Sequence, residues 1–429
     1  MTLVLAFINF FIAITRLYFT FKSGRLISIA WFLIVYFSWF LIPVVTGGSF
    51  KHYRAFPGEL VTISSNTIYE LIVYVIIFNI IFMFCEVLFW KLVGPKVRTH
   101  DYTLPNKSAH LNRVQISLFA LLCLGTVLYG ITSLTQDYRD YVEYKGSSWG
   151  MVFLWASSSL IAILALRKKY MLALVSCLPF IYFAVHLKIR SFALLSLIPI
   201  AIVYMLQITT EGKAGAMKKI RKIVIGGVMF VGILMLSSAI MMDKSGTRSK
   251  GFNLPDSGMP FGTAILMELT NKYNASTEWD SLVLYGRNLI NPFLKITGSA
   301  RTDIVDPPVV MAQLYDGVPV NWGVYYHYPT LWYMDSYLSF AYYGLFLAIF
   351  WAFIFVLWEV LMSRNALIFG LLLPFYTWHA YMLIRGATAG ATVPFSYAVY
   401  ITFILSIALA GMKVFSKRGG LDESTANNK

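Results

Sequence analysis

Apolar runs of roughly 20 residues recur along the chain, separated by short basic, Gly-containing or Pro-containing breaks. A helical residue rises about 1.5 Å and the hydrocarbon core of a bilayer is about 30 Å thick, so each run is long enough to cross it. Lipid offers no partner to an open backbone N–H or C=O, and a helix satisfies these groups within one segment. The pattern predicts about eleven spans, centred near Ile8, Val35, Ile77, Leu122, Ser159, Pro179, Leu197, Gly232, Phe346, Leu373 and Ile404. The expected fold class is an all-α polytopic integral membrane protein. Residues 1 to 21 lack a basic leading region and a small-residue cleavage site, and read as the first span rather than a removable signal peptide.

One connection differs from the rest. Between Asp243 and Asp335 about ninety residues are rich in Gly, Pro, Asn, Asp and Tyr, and loops of that length are functional or disordered. Their apolar stretches, Phe261 to Leu269 and Leu282 to Ile296, are too short or too broken to span. They are expected to form a partly helical external cap, lying in the interface or packed over the bundle. The chain then divides into an N-terminal bundle of about eight spans over residues 1–242, the loop over 243–335, about three spans over 336–413 and a tail over 414–429.

Composition agrees with a lipid environment: 58% of residues are hydrophobic, 13% are charged and the mean hydropathy is +0.67. Cys85, Cys123 and Cys177 each sit inside an apolar stretch, so neither a disulfide framework nor a thiolate metal site is expected. The net charge of +15 is unevenly spread. Alternate loops carry Arg16, Lys22 and Arg25; Lys91, Lys96, Arg98, Lys107 and Arg113; Arg167, Lys168 and Lys169; Lys213, Lys218, Lys219, Arg221 and Lys222; then Arg364, Lys413, Lys417 and Arg418. Lysine and arginine resist translocation, which makes this the cytoplasmic side, with the N-terminus outside and the C-terminus inside. The charge is then mostly topology, with attraction to anionic lipids as a second effect, and no nucleic-acid-binding pattern accompanies it.

No P-loop, HExxH or GxSxG motif and no compact metal-ligand set occurs, so no metal or other cofactor is expected. The candidate chemistry lies in external arginines: Arg190 in LKIRS, Arg287 in YGRNLINP, Arg301 in SARTD and Arg385 in MLIRGATAG. A guanidinium stays charged and presents a planar fork of donors, which suits phosphate and a developing pyrophosphate anion. The plain alternative for each is snorkelling to the headgroups. Arg190 follows a short connection between two Pro-containing spans, and Arg385 precedes a run of small residues that allows close approach of a helix or ligand.

The loop ends in a dense aromatic stretch that includes Trp322, Tyr325, Tyr326, Tyr328 and Trp332. Sugar rings bind on such flat faces, although Trp and Tyr also form the ordinary aromatic belt of membrane proteins. Nearby His327 and Asp335 are the candidate general bases for removing a proton from a sugar hydroxyl. His379 in YTWHAY would be the centre of a membrane acyltransferase, but no partner for it is evident in sequence. The mixed-charge segment with Asp137, Arg139, Asp140, Glu143 and Lys145 reads as a solvated turn. Glu70 and Glu86, near opposite ends of one span, read as interface positions without function.

Three features together resemble the bacterial O-antigen polymerases, the oligosaccharide repeat-unit polymerases. They are KIRS at Lys188 to Ser191 at the outer start of a span, the large external loop in the second half, and YMDSYLSFAYYGLF at Tyr333 to Phe346 leading into a span. Arg287 and Gly298 reproduce the family's Arg, ten residues, Gly spacing. The related O-antigen ligases carry a His-Asn-x-Tyr-Leu motif where this chain has Met334, Asp335, Ser336, Tyr337 and Leu338, and the ligase histidine is missing. The resemblance implies a metal-independent glycosyltransferase at the periplasmic face of the inner membrane. Its substrates would be undecaprenyl-pyrophosphate-linked oligosaccharides, with membrane lipids and a chain-length regulator protein as further partners. Arg190, Arg287, Arg301 and Arg385 would hold the pyrophosphate leaving group. A lipid-linked oligosaccharide flippase would share the substrate and the basic cavity, but the internal repeat common in transporters is not visible.

Overall fold

A computed structural model of the chain describes residues 1–46, 52–54, 60–94, 104–105, 108–133, 149–187, 190–210, 259–273 and 331–385, with a few single positions besides. Its helices are α1 (Thr2–Lys22), α2 (Ser28–Thr46), α3 (Ser65–Val93), α4 (Ala109–Ser133), α5 (Trp149–Leu166), α6 (Tyr170–Ser176), α7 (Leu178–His186) and α8 (Arg190–Thr210). They continue with α9 (Met259–Tyr273), α10 (Trp332–Phe340), a 3-10 turn (Ala341–Leu345), α11 (Phe346–Met362) and α12 (Ala366–Ile384). A short antiparallel ladder, β1 (His52–Arg54) with β2 (Leu60–Thr62), pairs Tyr53 with Val61 between α2 and α3.

Among the described residues six helical segments are long and apolar enough to cross a bilayer: Thr2–Lys22, Ser28–Thr46, Ser65–Val93, Ala109–Ile131, Ala341–Met362 and Ala366–Ile384. Shorter apolar helices cover Gly150–Leu166, Tyr170–His186 and Phe192–Gln207. The chain is a multi-pass helical membrane protein. The segment around Pro179 is two short helices that meet at Cys177, and Pro179 falls in the first turn of α7, where its missing N–H costs no intrahelical bond. The spans expected around Gly232 and Ile404 lie outside the described residues.

Helix association in lipid has little hydrophobic drive and depends on close packing and polar contacts. The α4–α5 pair shows the first device twice. A Cβ on Gly125 would sit 2.5 Å from the backbone nitrogen of Leu154, and one on Gly150 would sit 2.5 Å from that of Tyr129. The two glycines, one from each helix, let the backbones touch. Packing divides the helices into two groups. In one, α1 packs on α2 and α3, and α3 on α11; in the other, α5 lies between α4 and α8, with α7 against α8. Helix α12 joins the groups, with α2 and α11 on one side and α5 and α8 on the other. Asn365 caps its start by accepting from the Ile368 N–H at 2.7 Å.

Of the expected cap, α9 is among the described residues. From Met259 to Met267 this helix is enclosed on almost every side, packed against α2, α3 and α10. Its 15 residues reach only about 22 Å, so it enters the bundle without crossing a membrane. Helix α10 enters beside it: Leu331, Trp332, Tyr333 and Met334 are buried, and the Leu331 N–H donates to the Thr263 hydroxyl at 3.0 Å. A short helix with two aromatics, Trp332 and Tyr333, at its buried end is stabilised inside the bundle, where packing replaces the water a cap would face. The boundary drawn at Asp335 falls within α10.

Candidate functional site

Helix α3 carries a stripe at four-residue spacing, Glu70, Tyr74, Phe78, Phe82 and Glu86, and this face meets the inserted helices. From Glu70 to Glu86 it runs about 24 Å along the bundle. At its first end the Ser64 N–H donates to Glu268 at 2.8 Å, and the Asn271 amide donates to Glu70 at 2.9 Å. Tyr337 donates to the Asn271 side-chain oxygen at 3.2 Å, and Asn66 donates to the other oxygen of Glu70 at 3.0 Å. Below this rim, Tyr74 meets Tyr337 edge-on at 5.4 Å.

The middle of the stripe is an aromatic plug. The Trp332 ring lies 5.0 Å from Phe78 and 5.2 Å from Phe82, with Trp31 against Phe82 at 5.5 Å. Trp332 is 1% exposed, so its faces are taken up by protein rings. Its assignment as a sugar platform is corrected to a packing role, because α10 turns it into the bundle rather than toward solvent. Beside the plug a polar chain joins four helices. Tyr333 donates to Asn79 at 2.9 Å, Asn79 to Asn9 at 2.8 Å and Asn9 to Ser38 at 2.9 Å, all buried.

At the far end of the stripe Glu86, with no exposure, forms ion pairs with Arg16 and Arg25. Arg25 also reaches Glu359 of α11 at 2.8 Å, and its guanidinium lies over Trp90 at 4.1 Å. Glu359 accepts the Leu26 N–H at 2.7 Å, and the Tyr376 hydroxyl donates to the Leu26 carbonyl at 2.9 Å. The α1–α2 turn is thereby held inside the bundle. Burial opposes the charge on Arg25, but Glu359 and Glu86 more than offset it and hold the guanidinium above its ordinary pKa. Two cations face two carboxylates, and the cluster is neutral as built. Glu86 is therefore an ion-pair residue of the core rather than an interface position.

The same geometry fixes which residues share an end of the molecule. Helix α11 starts at the Tyr342 rim and ends at Glu359, and α12 returns toward Arg385. Helix α5 runs antiparallel to α12: Trp155 meets Trp378 at 5.6 Å, and Ser159 donates to the Leu371 carbonyl. Trp155 also lies 6.1 Å from Phe192, two positions beyond Arg190. Arg190 at the start of α8 and Arg385 at the end of α12 therefore belong to the Glu70 end, on two helices that pack on each other and on α5. Lys22, Arg113, Arg167, Lys168, Lys169 and Arg364 lie at the opposite end, with Arg16 and Arg25.

Arg385 is half-buried, its guanidinium 5.8 Å from the Tyr381 ring. Asp335 lies on α10, between buried Met334 and Ser336, in the helix group on the other side of α12 from Arg190. Arg287, Arg301, His327, Trp322, Tyr325, Tyr326 and Tyr328 lie outside the described residues. His379 is buried among Trp351, Phe355 and Trp358, with ring distances of 5.4 to 6.2 Å. Among the described residues no group of His, Cys, Asp and Glu is placed to hold a metal ion.

Sequence reasoning read Glu86 as an interface position and passed over Glu359, Asn9 and Asn79. Their signal was present, since each is a polar residue inside an apolar run, where burial without a partner is expensive. Compared with protein-family models, curated proteins and solved structures, the chain matches none of them.

Proposed function

We propose that this protein is a polymerase. It joins undecaprenyl-pyrophosphate-linked oligosaccharide repeat units into a surface polysaccharide of the O-antigen type, at the periplasmic face of the bacterial inner membrane. The observation that carries the reading is the sorting of arginines. Arg190 and Arg385 stand at the end of the bundle away from the basic turns, on two mutually packed helices. Lysine and arginine resist translocation, so the Arg25 end faces the cytoplasm and the Arg190 end the periplasm.

In this reading a hydroxyl of one lipid-linked unit attacks the anomeric carbon of another. The bond from that carbon to the pyrophosphate breaks, its electron pair leaves on the pyrophosphate oxygen, and the hydroxyl proton passes to a base or to water. Arg190 and Arg385, with Arg287 and Arg301 of the loop, bind charge that grows during bond breaking, and interactions stronger in the transition state than in the ground state accelerate the step. His327 and Asp335 are the base candidates, and Tyr325, Tyr326, Tyr328 and Trp322 the sugar platforms.

A flippase for the same lipid-linked glycan is the second reading. It is favoured by two short helices with ends buried in mid-bundle and by the polar chain from Tyr333 to Ser38, since transporters place discontinuous helices and polar sites at that depth. An O-antigen ligase, whose histidine motif this chain lacks, is the third.

Purified protein supplied with lipid-linked repeat units separates these readings. The polymerase yields a ladder of glycan lengths and free undecaprenyl pyrophosphate, whereas a flippase leaves length unchanged. Arg190→Ala is expected to abolish long chains when it replaces the wild-type gene, and normal chain length in that strain would remove the pyrophosphate role.

A further inference from the structure

We infer that the Glu70 rim is a binding site for the sugar portion of a glycan, built from α3, α9 and the 3-10 turn and separate from the arginines of α8 and α12. The inference rests on the proposed use of a lipid-linked glycan for the identity of its ligand, and on the following geometry for its place. Glu70 is half-exposed, and each carboxylate oxygen is held by one amide, Asn66 on one and Asn271 on the other. An ionised carboxylate accepts more bonds than these two, so it keeps capacity for hydroxyl donors. Among the described residues no cation pairs with it, although Arg16, Arg25, Glu86 and Glu359 of the same bundle are all tied in ion pairs. Asn66 and Asn271 are exposed and offer further amide donors and acceptors beside it.

An aromatic face stands next to this polar set. Tyr342 is 55% exposed and lies edge-on to Tyr337 at 5.7 Å and 6.3 Å from the Tyr74 ring. The turn that displays it is held under constraint. Ala341 has φ 50° and ψ −133°, a backbone region that residues with a side chain rarely adopt. Three residues on, Gly344 lies so close to the Ser336 carbonyl and the Tyr74 hydroxyl that a Cβ there would collide with both. An unfavourable backbone that is retained and locked by packing calls for a use. Here it reverses the chain after α10 and sets Tyr342 at the rim, against Tyr337 at the end of the chain Tyr337, Asn271, Glu70. Hydroxyl acceptors and donors next to flat aromatic faces are what a sugar ring requires, with its C–H face on the ring and its hydroxyls on the carboxylate and amides. Nothing cationic in this set suits a phosphate.

The test uses the full chain in nanodiscs and, as probe, the oligosaccharide repeat unit released by mild acid from the host's polyprenyl-linked pool, which carries no pyrophosphate. Binding is read by saturation-transfer NMR and by titration. Glu70→Gln and Tyr342→Ala are expected to weaken binding about tenfold each, while Tyr342→Phe, which keeps the ring face, retains it. Elution volume and thermal transition equal to wild type show that the variants are folded. Failure of the released oligosaccharide to bind wild type, or wild-type binding by Glu70→Gln and Tyr342→Ala, overturns the site and leaves the tyrosine as a headgroup anchor. The two readings fail separately. Wild-type ladders with unaffected variant binding remove the rim site and keep the polymerase, whereas rim-dependent binding without ladders removes the polymerase and keeps a glycan site.

Discussion

Replacing Glu86 by leucine perturbs the buried ion cluster at the point where it is most heavily shared. The carboxylate serves both Arg16 and Arg25, and it has no exposure. Without it two guanidinium groups depend on Glu359 alone, and one positive charge is uncompensated beside the α1–α2 turn. Removing one partner of a buried pair costs about 3–5 kcal/mol, because the remaining charge keeps its desolvation penalty. Arg16 is 16% exposed and its stem can carry the head toward the membrane surface, which places the loss near the lower bound, at about 3 kcal/mol. The double variant Arg16→Leu with Glu86→Leu restores neutrality, since Arg25 and Glu359 remain paired. It should be more stable than Glu86→Leu alone and lie within about 1 kcal/mol of wild type. Equilibrium unfolding by a denaturing detergent in mixed micelles measures all four corners of the cycle. A Glu86→Leu loss below about 1 kcal/mol, or a double variant as unstable as the sum of the singles, would refute the assignment of this cluster as a balanced unit.

Two further changes test the packing. Gly125→Ala places a methyl against the Leu154 backbone, which cannot yield as a side chain can, so α4 and α5 must separate at a cost of about 1–3 kcal/mol; thermal denaturation in detergent measures it, and Gly150→Ala should behave alike. Asn79→Ala leaves both the Tyr333 hydroxyl and the Asn9 amide side chain short of a buried partner and should cost about 1–3 kcal/mol, whereas Tyr333→Phe should cost about 1 kcal/mol, both read by the same unfolding titration.

Glu359 and Arg25 lie 334 positions apart, and no local pattern connects them. Sequence marks Arg25 as a charge between two apolar runs and Glu359 as one inside another, and nothing local pairs them. The polar and aromatic composition of the long loop draws Asp335 and Trp332 into it, yet α10 begins at Trp332 and its first residues are buried. Composition could not separate an aromatic residue that faces sugar from one that faces Phe78. Arg190 and Arg385 were legible as residues at span ends, and their common end of the molecule follows from the alternation of spans.

The sequence by itself determined the lipid solvent, the approximate positions of six long apolar helices among the described residues and the sorting of basic turns to alternate connections. These follow from run length and from charge, both local properties fixed by the thickness of the hydrocarbon core and the cost of leaving a backbone group or a cation in it. Only the tertiary structure decided that α9 and α10 enter the bundle, that Glu86 is shared by two arginines, and that Glu70 stands in an amide cradle beside a displayed tyrosine. In lipid, apolar helix faces are nearly equivalent to the solvent, so the partner of each face is selected by close packing and by a few polar contacts between residues far apart in the chain.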